Sequence, residues 1–177
     1  MTGSPAAKIR DCAAADMGPV QRIYAHHVEH GLGSFEEIPP DLPEMMKRRD
    51  AIVAAGYPYV VAEQAGHILG FAYAGPYRTR SAYRFAAEDT VYVAPEAQRR
   101  GIGAMLLSSV IERCSATGLR QLVAVIGDSG NAGSIGLHAR LGFARTGLLR
   151  SVGFKHGRWV DVVLMQRALG PGDTQPP

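Results

Sequence analysis

The segment from residue 91 to residue 104 constrains the fold of this chain more than any other. It reads VYVAPEAQRRGIGA, an alternating strand, a proline-marked turn and a glycine-punctuated segment that opens an amphipathic helix. A helix N-terminus has unpaired backbone N–H groups and carries about half a positive charge. Gly101 and Gly103 lack Cβ atoms that would keep a ligand away, and Arg99 and Arg100 add positive charge. The segment therefore predicts a strand–turn–helix unit that binds a pyrophosphate.

Two other phosphate-binding motifs do not fit this segment. A dinucleotide-binding fingerprint has a third glycine three residues after the second, but Leu106 occupies that position. A P-loop ends in Gly-Lys-Ser or Gly-Lys-Thr, but Gly103 is followed by Ala104. What remains is Gln98 followed by Gly101 and Gly103, directly after a strand. An ordinary strand-to-helix turn is the alternative, but the glutamine, the arginines and both flanking elements agree with pyrophosphate binding.

Length and composition are those of one globular domain. The chain has 177 residues, of which 46% are hydrophobic, so it can bury a substantial core. Its formal net charge of +3 does not indicate a nucleic-acid-binding protein. The longest apolar runs, such as residues 122–126, are far shorter than the ~20 residues of a membrane-spanning helix. We therefore expect neither nucleic acid nor membrane as a partner.

The cysteines and the first residues predict a cytoplasmic location. Cys12 and Cys114 are isolated thiols, and the N-terminal residues lack the charged and apolar regions of a signal peptide. We therefore expect both thiols to be reduced core residues. His26 and His30 have the i, i+4 spacing of a metal-binding pair, but no third ligand is evident and we expect no metal.

Hydrophobic periodicity and turn residues predict an α/β order along the chain. Strands are expected at 8–12, 59–63, 68–74, 89–93, 122–126, 143–150 and 158–166, the last two joined by residues 153–157, and helices at 16–28, 42–55, 101–116 and 131–141. This order predicts a single α/β domain with a mixed central β-sheet flanked by helices. We expect the ends, residues 1–7 and 169–177, to be flexible.

The glycine-rich segment resembles the coenzyme A signature of the GNAT acyltransferase superfamily, Arg/Gln-x-x-Gly-x-Gly/Ala. Here the signature is formed by Gln98, Gly101, Gly103 and the residues between them. The predicted order of elements is similar to the GNAT fold, which has a splayed strand and a pyrophosphate-binding helix. The resemblance covers residues 8–168, the expected N-acetyltransferase domain, and it implies acetyl-CoA as the co-substrate.

Four further segments resemble one branch of this superfamily, the phosphinothricin acetyltransferases and their relatives that acetylate methionine sulfoximine and sulfone. They are FAYAGP at 71–76, EDTVYV at 88–93, VAVIG at 123–127 and GFKHGRWVDV at 153–162. The resemblance implies that acetyl-CoA donates its acetyl group to the α-amine of a small amino acid analogue. It also implies a homodimer, and residues 150–159 mix apolar and basic side chains in a way that suits an interface.

The resemblance assigns the coenzyme to groups around one strand and two helix starts. Backbone N–H groups of Val91 and Val93 would hold the pantetheine arm and the thioester carbonyl. Asn131 and Ser134 would contact the coenzyme, although a helix-capping role is equally compatible with their position. The complete predicted set is Val91, Tyr92, Val93, Arg99, Arg100, Gly101, Ile102, Gly103, Ala104, Asn131 and Ser134.

Two residues are candidates for catalysis. Glu88 matches the family's general base, which is needed because an α-amine with a pKa of about 8 is mostly protonated at neutral pH and cannot attack a thioester. His138 lies where many GNAT enzymes have a tyrosine that reprotonates the coenzyme thiolate, and the phosphinothricin branch has histidine there. The imidazole could donate this proton, bind substrate or pack within its helix, and these alternatives stay open.

An arginine loop and several aromatic residues are candidates for binding the acceptor. Arg78 and Arg80 could bind its carboxylate and its phosphorus- or sulfur-bound oxygens. The predicted contacts are Phe35, Arg78, Arg80, Tyr83, Glu88, Asp89, Thr90 and Tyr92, with Val160 or Asp161 as further lining. A different amine, on a protein N-terminus, a lysine or an aminoglycoside, is a second possibility. A non-catalytic coenzyme A-binding module is a third.

Overall fold

A computed structural model describes residues 6–177 of the chain. Its strands and helices alternate along most of this length, which confirms the predicted α/β class. They are β1 (Lys8–Asp11), α1 (Met17–His30), α2 (Leu42–Ala54), β2 (Tyr59–Gln64), β3 (His67–Pro76), β4 (Ala86–Val93), α3 (Ile102–Ala116), β5 (Gln121–Gly127), α4 (Ala132–Arg140), β6 (Ala144–Lys155) and β7 (Arg158–Ala168).

The strands form one mixed sheet in the order β1-β2-β3-β4-β5-β7-β6. Its centre is the parallel pair of β4 and β5, and the other neighbouring pairs are antiparallel. Within the described residues, this parallel pairing extends only from Ala86 opposite Gln121 to Glu88 opposite Val123. Beyond Glu88 the two strands separate, so a cleft opens in the middle of the sheet.

Helices cover both faces of the sheet around this cleft. On one face, the ring of Tyr24 in α1 packs against Tyr92 of β4, with centroids 5.1 Å apart. On the other face, α3 buries the apolar stripe that its sequence predicts, formed by Leu106, Leu107, Val110, Ile111 and Cys114. Cys12 and Cys114 are both buried and free, as the sequence predicts.

The hairpin between β6 and β7 differs from its prediction. Residues 153–155 pair with residues 158–160, so the segment expected to connect the two strands is largely part of them. The turn consists of His156 and Gly157, whose φ angles of 49° and 73° are those of a two-residue hairpin turn. The irregularity lies earlier, between Leu149 and Gly153. The glycines of this segment are typical of a loop, and the sequence therefore predicts one. In the structure, one of these glycines packs against an aromatic ring that is described below.

The first helix also begins differently from its prediction. Asp16 precedes α1 but its carboxylate does not cap the helix. Instead it forms an ion pair with Arg10, with a closest N–O distance of 2.6 Å, and accepts a hydrogen bond from the backbone of Ala13. The ion pair connects the start of α1 to β1.

The ends of the chain, for which the sequence predicts flexibility, lie partly outside the described residues. The flexibility expected for residues 1–7 falls mainly on residues 1–5, which lie outside the described residues. At the other end, Leu169 is buried and Arg120 donates to the carbonyl groups of Gly172 and Pro176. Flexibility of residues 169–177 stays a prediction. In residues 6–177, no helix combines the length and apolar character required to span a bilayer.

Candidate active site

The cleft between β4 and β5 opens into a cavity of about 920 Å³. Parts of β4, β5, α1, α3 and α4 line it, and its volume lies in the range of sites for large organic ligands. Most of the predicted site residues line this cavity, namely Glu88, Asp89, Thr90, Val91, Tyr92, Val93, Arg99, Gly101, Ile102, Gly103, Ala104, Asn131, Ser134 and His138.

The end of β4 presents free backbone groups to the cavity. The N–H of Ala94 donates to the carbonyl of Leu69 at 2.9 Å, and Val93 lies opposite Gly70. Successive residues of an antiparallel strand direct their N–H groups alternately towards and away from the partner. The N–H groups of Val91 and Val93 therefore point away from β3, into the gap where β5 has separated. They can donate to a ligand there.

The start of α3 supplies a second set of donors. Arg99 and Gly101 have φ angles of 58° and 81°, which turn the backbone sharply before the helix begins. The first N–H to bond back along the helix is that of Met105, which donates to the carbonyl of Gly101 at 3.1 Å. The N–H groups of residues 102–104 thus have no partner within the helix. Together with the helix dipole they form a site for an anion such as a pyrophosphate.

The absence of a side chain at Gly103 keeps this anion site open. A Cβ at that position would come within 3.3 Å of Leu137 and 3.6 Å of Val93. A longer side chain would extend into the space between α3, α4 and the end of β4.

The start of α4 is capped at the edge of the same cavity, because the side chain of Asn131 accepts a hydrogen bond from the N–H of Ser134 at 3.1 Å. The capping role considered for these two residues is confirmed, and both also line the cavity.

Glu88 lies at the cleft with an environment suited to accepting a proton. Its side chain is half-buried, and burial raises the pKa of its carboxyl group. The negative charge of Asp89 raises this pKa further, whereas the charge of Arg78 lowers it. A more basic carboxylate is a better proton acceptor near neutral pH. Side chains alternate along β4, so Glu88 lies on the same face as Thr90 and Tyr92, towards α1.

Asp89 faces the opposite side of the sheet and pairs with His138. The distance from its Oδ2 to Nε2 of His138 is 2.9 Å, and both side chains are almost completely buried. The other ring nitrogen, Nδ1, lies 2.8 Å from the carbonyl of Ser134. Both ring nitrogens are thus engaged, and the ring also packs edge-on against Phe143. The cavity reaches both members of the pair.

Comparisons with known proteins agree with this geometry. Residues 21–143 match the model of the Acetyltransferase (GNAT) family. The chain is 56% identical to a phosphinothricin N-acetyltransferase of Alcaligenes faecalis, over 92% of this chain and 82% of that protein. This chain belongs to the GNAT acetyltransferase family. It is also 42% identical to an L-methionine sulfoximine/L-methionine sulfone acetyltransferase of Pseudomonas paraeruginosa, over 96% and 99% of the two chains.

Solved GNAT structures confirm the predicted fold. A phosphinothricin acetyltransferase from Sinorhizobium meliloti, in complex with AcCoA, superposes with a TM-score of 0.94 at 47% identity, over 97% of this chain and 92% of that one. The yncA protein of Salmonella typhimurium, a putative acetyltransferase with its cofactor acetyl-CoA, gives 0.91 at 36% identity, over 94% and 95%.

The donors of this GNAT cleft fit acetyl-CoA. Unpaired N–H groups at the start of α3 match its pyrophosphate, and the free N–H groups of Val91 and Val93 match the polar arm that carries the acetyl group. Among the described residues, no three His, Cys, Asp or Glu side chains lie close enough together to bind a metal ion.

Seven predicted site residues do not line the GNAT cavity. They are Phe35, Arg78, Arg80, Tyr83, Arg100, Val160 and Asp161. Nη2 of Arg100 donates to Gln64 at 2.6 Å, so its guanidinium is directed towards β2. Arg78 stacks on the rings of Tyr77 and Tyr83, at 5.2 and 6.0 Å from the centroids, in the exposed loop after β3.

Phe35, a further residue of this group, packs against the β6–β7 hairpin. Its ring leaves no room for a Cβ at Gly153. At Gly127 the carbonyl of Leu32 leaves no room for a Cβ, and the Phe35 ring lies 3.1 Å from that position. Buried Lys155 fixes the same segment, because its Nζ donates to the carbonyl of Ser34 at 2.7 Å. Burial lowers the pKa of Lys155. The segment between α1 and α2 is thereby attached to the β6–β7 hairpin.

Two residues of α1 were missed as parts of the site. Tyr24 and His27 line the cavity, although the sequence assigns them to the packing face of the helix. Burial lowers the pKa of His27, so its ring is neutral at neutral pH, and its Nε2–H donates to the carbonyl of Val93 at 2.8 Å. Aromatic rings with polar atoms, among the aliphatic residues of that face, are the signal that could have revealed them.

Proposed function

We propose that this protein transfers the acetyl group of acetyl-CoA to the α-amine of phosphinothricin, methionine sulfoximine or methionine sulfone. The observation that carries the proposal is the arrangement of β4, where the half-buried carboxylate of Glu88 and the free N–H groups of Val91 and Val93 share one cleft. Relatives named for these acceptors, at 56% and 42% identity, support the choice of substrate.

In this proposal Glu88 acts as the general base. It removes a proton from the α-ammonium group, directly or through a water molecule, and the free amine then attacks the thioester carbonyl. Negative charge develops on the carbonyl oxygen during the attack. The fixed N–H groups of Val91 and Val93 can donate to that oxygen, which stabilises the transition state more than the bound substrate.

The acceptor binds between Glu88 and the arginine loop. The charge of Arg78 lowers the pKa of Glu88, and its guanidinium stacks on Tyr77 and Tyr83 in the loop after β3. Together with Arg80 it would bind the carboxylate and the oxyanion of the side chain. Tyr83 and Phe35 would contact the methylene stem. The two arginines favour an anionic acceptor over a lysine or an aminoglycoside, which carry positive charge.

We also propose that the protein is a cytoplasmic homodimer. The β6–β7 hairpin exposes four large apolar side chains, Leu149, Val152, Phe154 and Trp159. Phe154 and Trp159 pack against each other at 5.2 Å between centroids. Exposed apolar groups at a sheet edge are typical of an interface, and the two free buried thiols are typical of a reducing compartment. Light scattering at micromolar concentration tests the dimer, and a monomer would contradict it.

A thiol-release assay over a panel of amines tests the substrate class. The panel contains the three analogues, their decarboxylated amines, lysine, a peptide N-terminus and an aminoglycoside. We expect the intact analogues to react fastest, because loss of the carboxylate leaves the clustered positive charge of the two arginines without its partner. Faster acetylation of the peptide or the aminoglycoside would reject the substrate while leaving the family assignment intact. No acetylation of any amine would favour the non-catalytic module.

A further inference from the structure

The buried pair behind the general base has an unusual arrangement of protons. Nδ1 of His138 faces the carbonyl of Ser134 at 2.8 Å, and a carbonyl oxygen can only accept, so Nδ1 carries a proton. Nε2 faces Oδ2 of Asp89 at 2.9 Å. A neutral ring with a proton on Nδ1 has none on Nε2. The contact with Asp89 therefore needs an additional proton, held either by the ring or by the carboxyl group.

Two observations assign this proton to the ring. Burial lowers the pKa of His138, but the hydrogen bond and the charge of Asp89 and the Ser134 carbonyl outweigh it, so the pKa is raised. The second oxygen of Asp89, Oδ1, is buried without a hydrogen-bond partner among the described residues. A carboxylate in that position depends on His138 for its compensation. The pair is thus an imidazolium bonded to a carboxylate.

The pair lies directly behind the proposed base. Asp89 follows Glu88 on β4, and the two side chains point to opposite faces of the same strand. We propose that His138 is a positioning residue that neutralises Asp89, and that this pair, rather than any contact of His138 with substrate, adjusts the pH range in which Glu88 accepts a proton. The inference rests on the proposed role of Glu88 as the base.

The groups around Glu88 make Asp89 the dominant negative neighbour. From the loop after β3, Arg78 lowers the pKa of Glu88, and from β3 itself Tyr73 faces it as a neutral phenol whose pKa is raised by burial. On the other side of the strand, His138 of α4 and Cys114 of α3 face Asp89, and burial raises the pKa of that thiol to about 12. Cys114 therefore remains neutral, and His138 supplies the positive charge.

Asp89→Asn is the variant that tests the proposal. Its amide can donate to Nε2 of a neutral His138, so the hydrogen bond is retained while both charges of the pair are lost. Because the negative charge next to Glu88 is gone, the pKa of Glu88 falls. The acidic limb of the kcat/KM profile moves to lower pH by several tenths of a unit, roughly the effect of one partly compensated like charge. The matched control is Asp50→Asn, on the exposed side of α2, which leaves the limb unchanged.

Four outcomes of the kinetic comparison are informative. The inference is supported if the acidic limb of the kcat/KM profile disappears in Glu88→Gln and moves to lower pH in Asp89→Asn. A limb that disappears in Glu88→Gln but does not move in Asp89→Asn overturns it and leaves the base intact. A limb that persists in Glu88→Gln rejects the base itself. If Asp89→Asn instead shifts a basic limb, His138 is a proton donor in the reaction and the positioning role is wrong.

Nitrogen NMR of histidine-labelled protein gives a second test that does not depend on activity. In the wild type we expect one ring to remain doubly protonated well above the ordinary histidine pKa of about 6.5, and its signal to be absent in His138→Gln. In Asp89→Asn the same ring becomes neutral at pH 7. A neutral His138 in the wild type at pH 7 would overturn the inference, even if neither variant can be purified.

Discussion

The two halves of the proposed site, one for the coenzyme and one for the acceptor, consist of different kinds of chemical group. The coenzyme half uses backbone N–H groups, at Val91 and Val93 and at the start of α3, in one continuous stretch of chain. The acceptor half uses side chains from separate segments, including Glu88, the Arg78 loop and the segment that carries Phe35. A backbone site is fixed once its local elements form. A side-chain site depends on how distant segments pack together.

The attachment of the segment between α1 and α2 illustrates this dependence. Ser34 is buried, and its hydroxyl forms a hydrogen bond with Tyr24 at 2.9 Å while its carbonyl accepts from Lys155. Phe35 fills the space above Gly153. The position of the segment between α1 and α2 therefore depends on α1, on β6 and on the segment itself. A change in any of them can alter acceptor binding without touching the coenzyme donors.

The largest expected effect is loss of coenzyme binding in Gly103→Leu. A Cβ at this position would already lie 3.3 Å from Leu137, and the rest of the leucine side chain would extend into the cleft. Acetyl-CoA at 100 times its dissociation constant stabilises the wild type by about 2.7 kcal/mol, because it binds only the folded state. The variant should show no ligand-induced rise in Tm. Gly18→Leu, which meets only the side chain of Arg22, should keep the full shift, and a normal shift in Gly103→Leu would refute the assigned pyrophosphate site.

Glu88→Gln should distinguish the two halves most clearly, by affecting the reaction of the acceptor but not the binding of the coenzyme. We expect kcat to fall about 100-fold or more, since the amine loses its proton acceptor, while the Tm shift with acetyl-CoA is retained. The loss should shrink at high pH, where solvent removes the proton. Because burial raises the pKa of Glu88, wild-type activity should fall as pH decreases through that raised value. Steady-state kinetics from pH 6 to 10 measure both effects. The exposed Glu112→Gln is the control, and wild-type kcat in Glu88→Gln would limit this residue to a structural role.

Removal of an arginine should affect the acceptor alone. Arg78→Ala or Arg80→Ala should raise KM for the amino acid about tenfold, the scale of a lost charge-assisted contact, and leave KM for acetyl-CoA nearly unchanged. Arg84→Ala in the same loop is the matched control, because Arg84 stacks on Phe85 and donates to Ser81. Equal increases in KM for the amino acid and in KM for acetyl-CoA would contradict a division between the acceptor half and the coenzyme half.

The same division explains how far the sequence could predict the molecule. The strand, the turn and the helix around Gly101 follow from local propensity, so these elements lie where the sequence predicts them, and the binding of coenzyme by their N–H groups stays a prediction. The order of elements gave the α/β class for the same reason. The separation of β4 from β5 came only through resemblance to a family. No local rule predicts where two parallel strands stop pairing.

Long-range contacts account for what the sequence did not predict. The direction of Arg100 depends on Gln64 across the turn, and the position of Phe35 depends on a glycine in β6. The state of His138 was left open, because its partner Asp89 is distant in sequence and only the fold brings them together. Charged and aromatic side chains have several stable directions, and tertiary contacts select one of them.

Lys155→Met should have the smallest effect on KM, and it tests whether acceptor binding can change independently of coenzyme binding. Methionine fills a similar volume but leaves the carbonyl of Ser34 buried without its donor, at a cost of about 1–3 kcal/mol in the free energy of unfolding. The loop that carries Phe35 should then be held less firmly, so KM for the acceptor should rise a few-fold. The coenzyme donors lie on β4 and α3, outside this contact, and KM for acetyl-CoA should stay within twofold. Lys47→Met on the exposed face of α2 should change neither value. If Lys155→Met instead weakened acetyl-CoA binding as much as acceptor binding, the two halves would be mechanically coupled through β6.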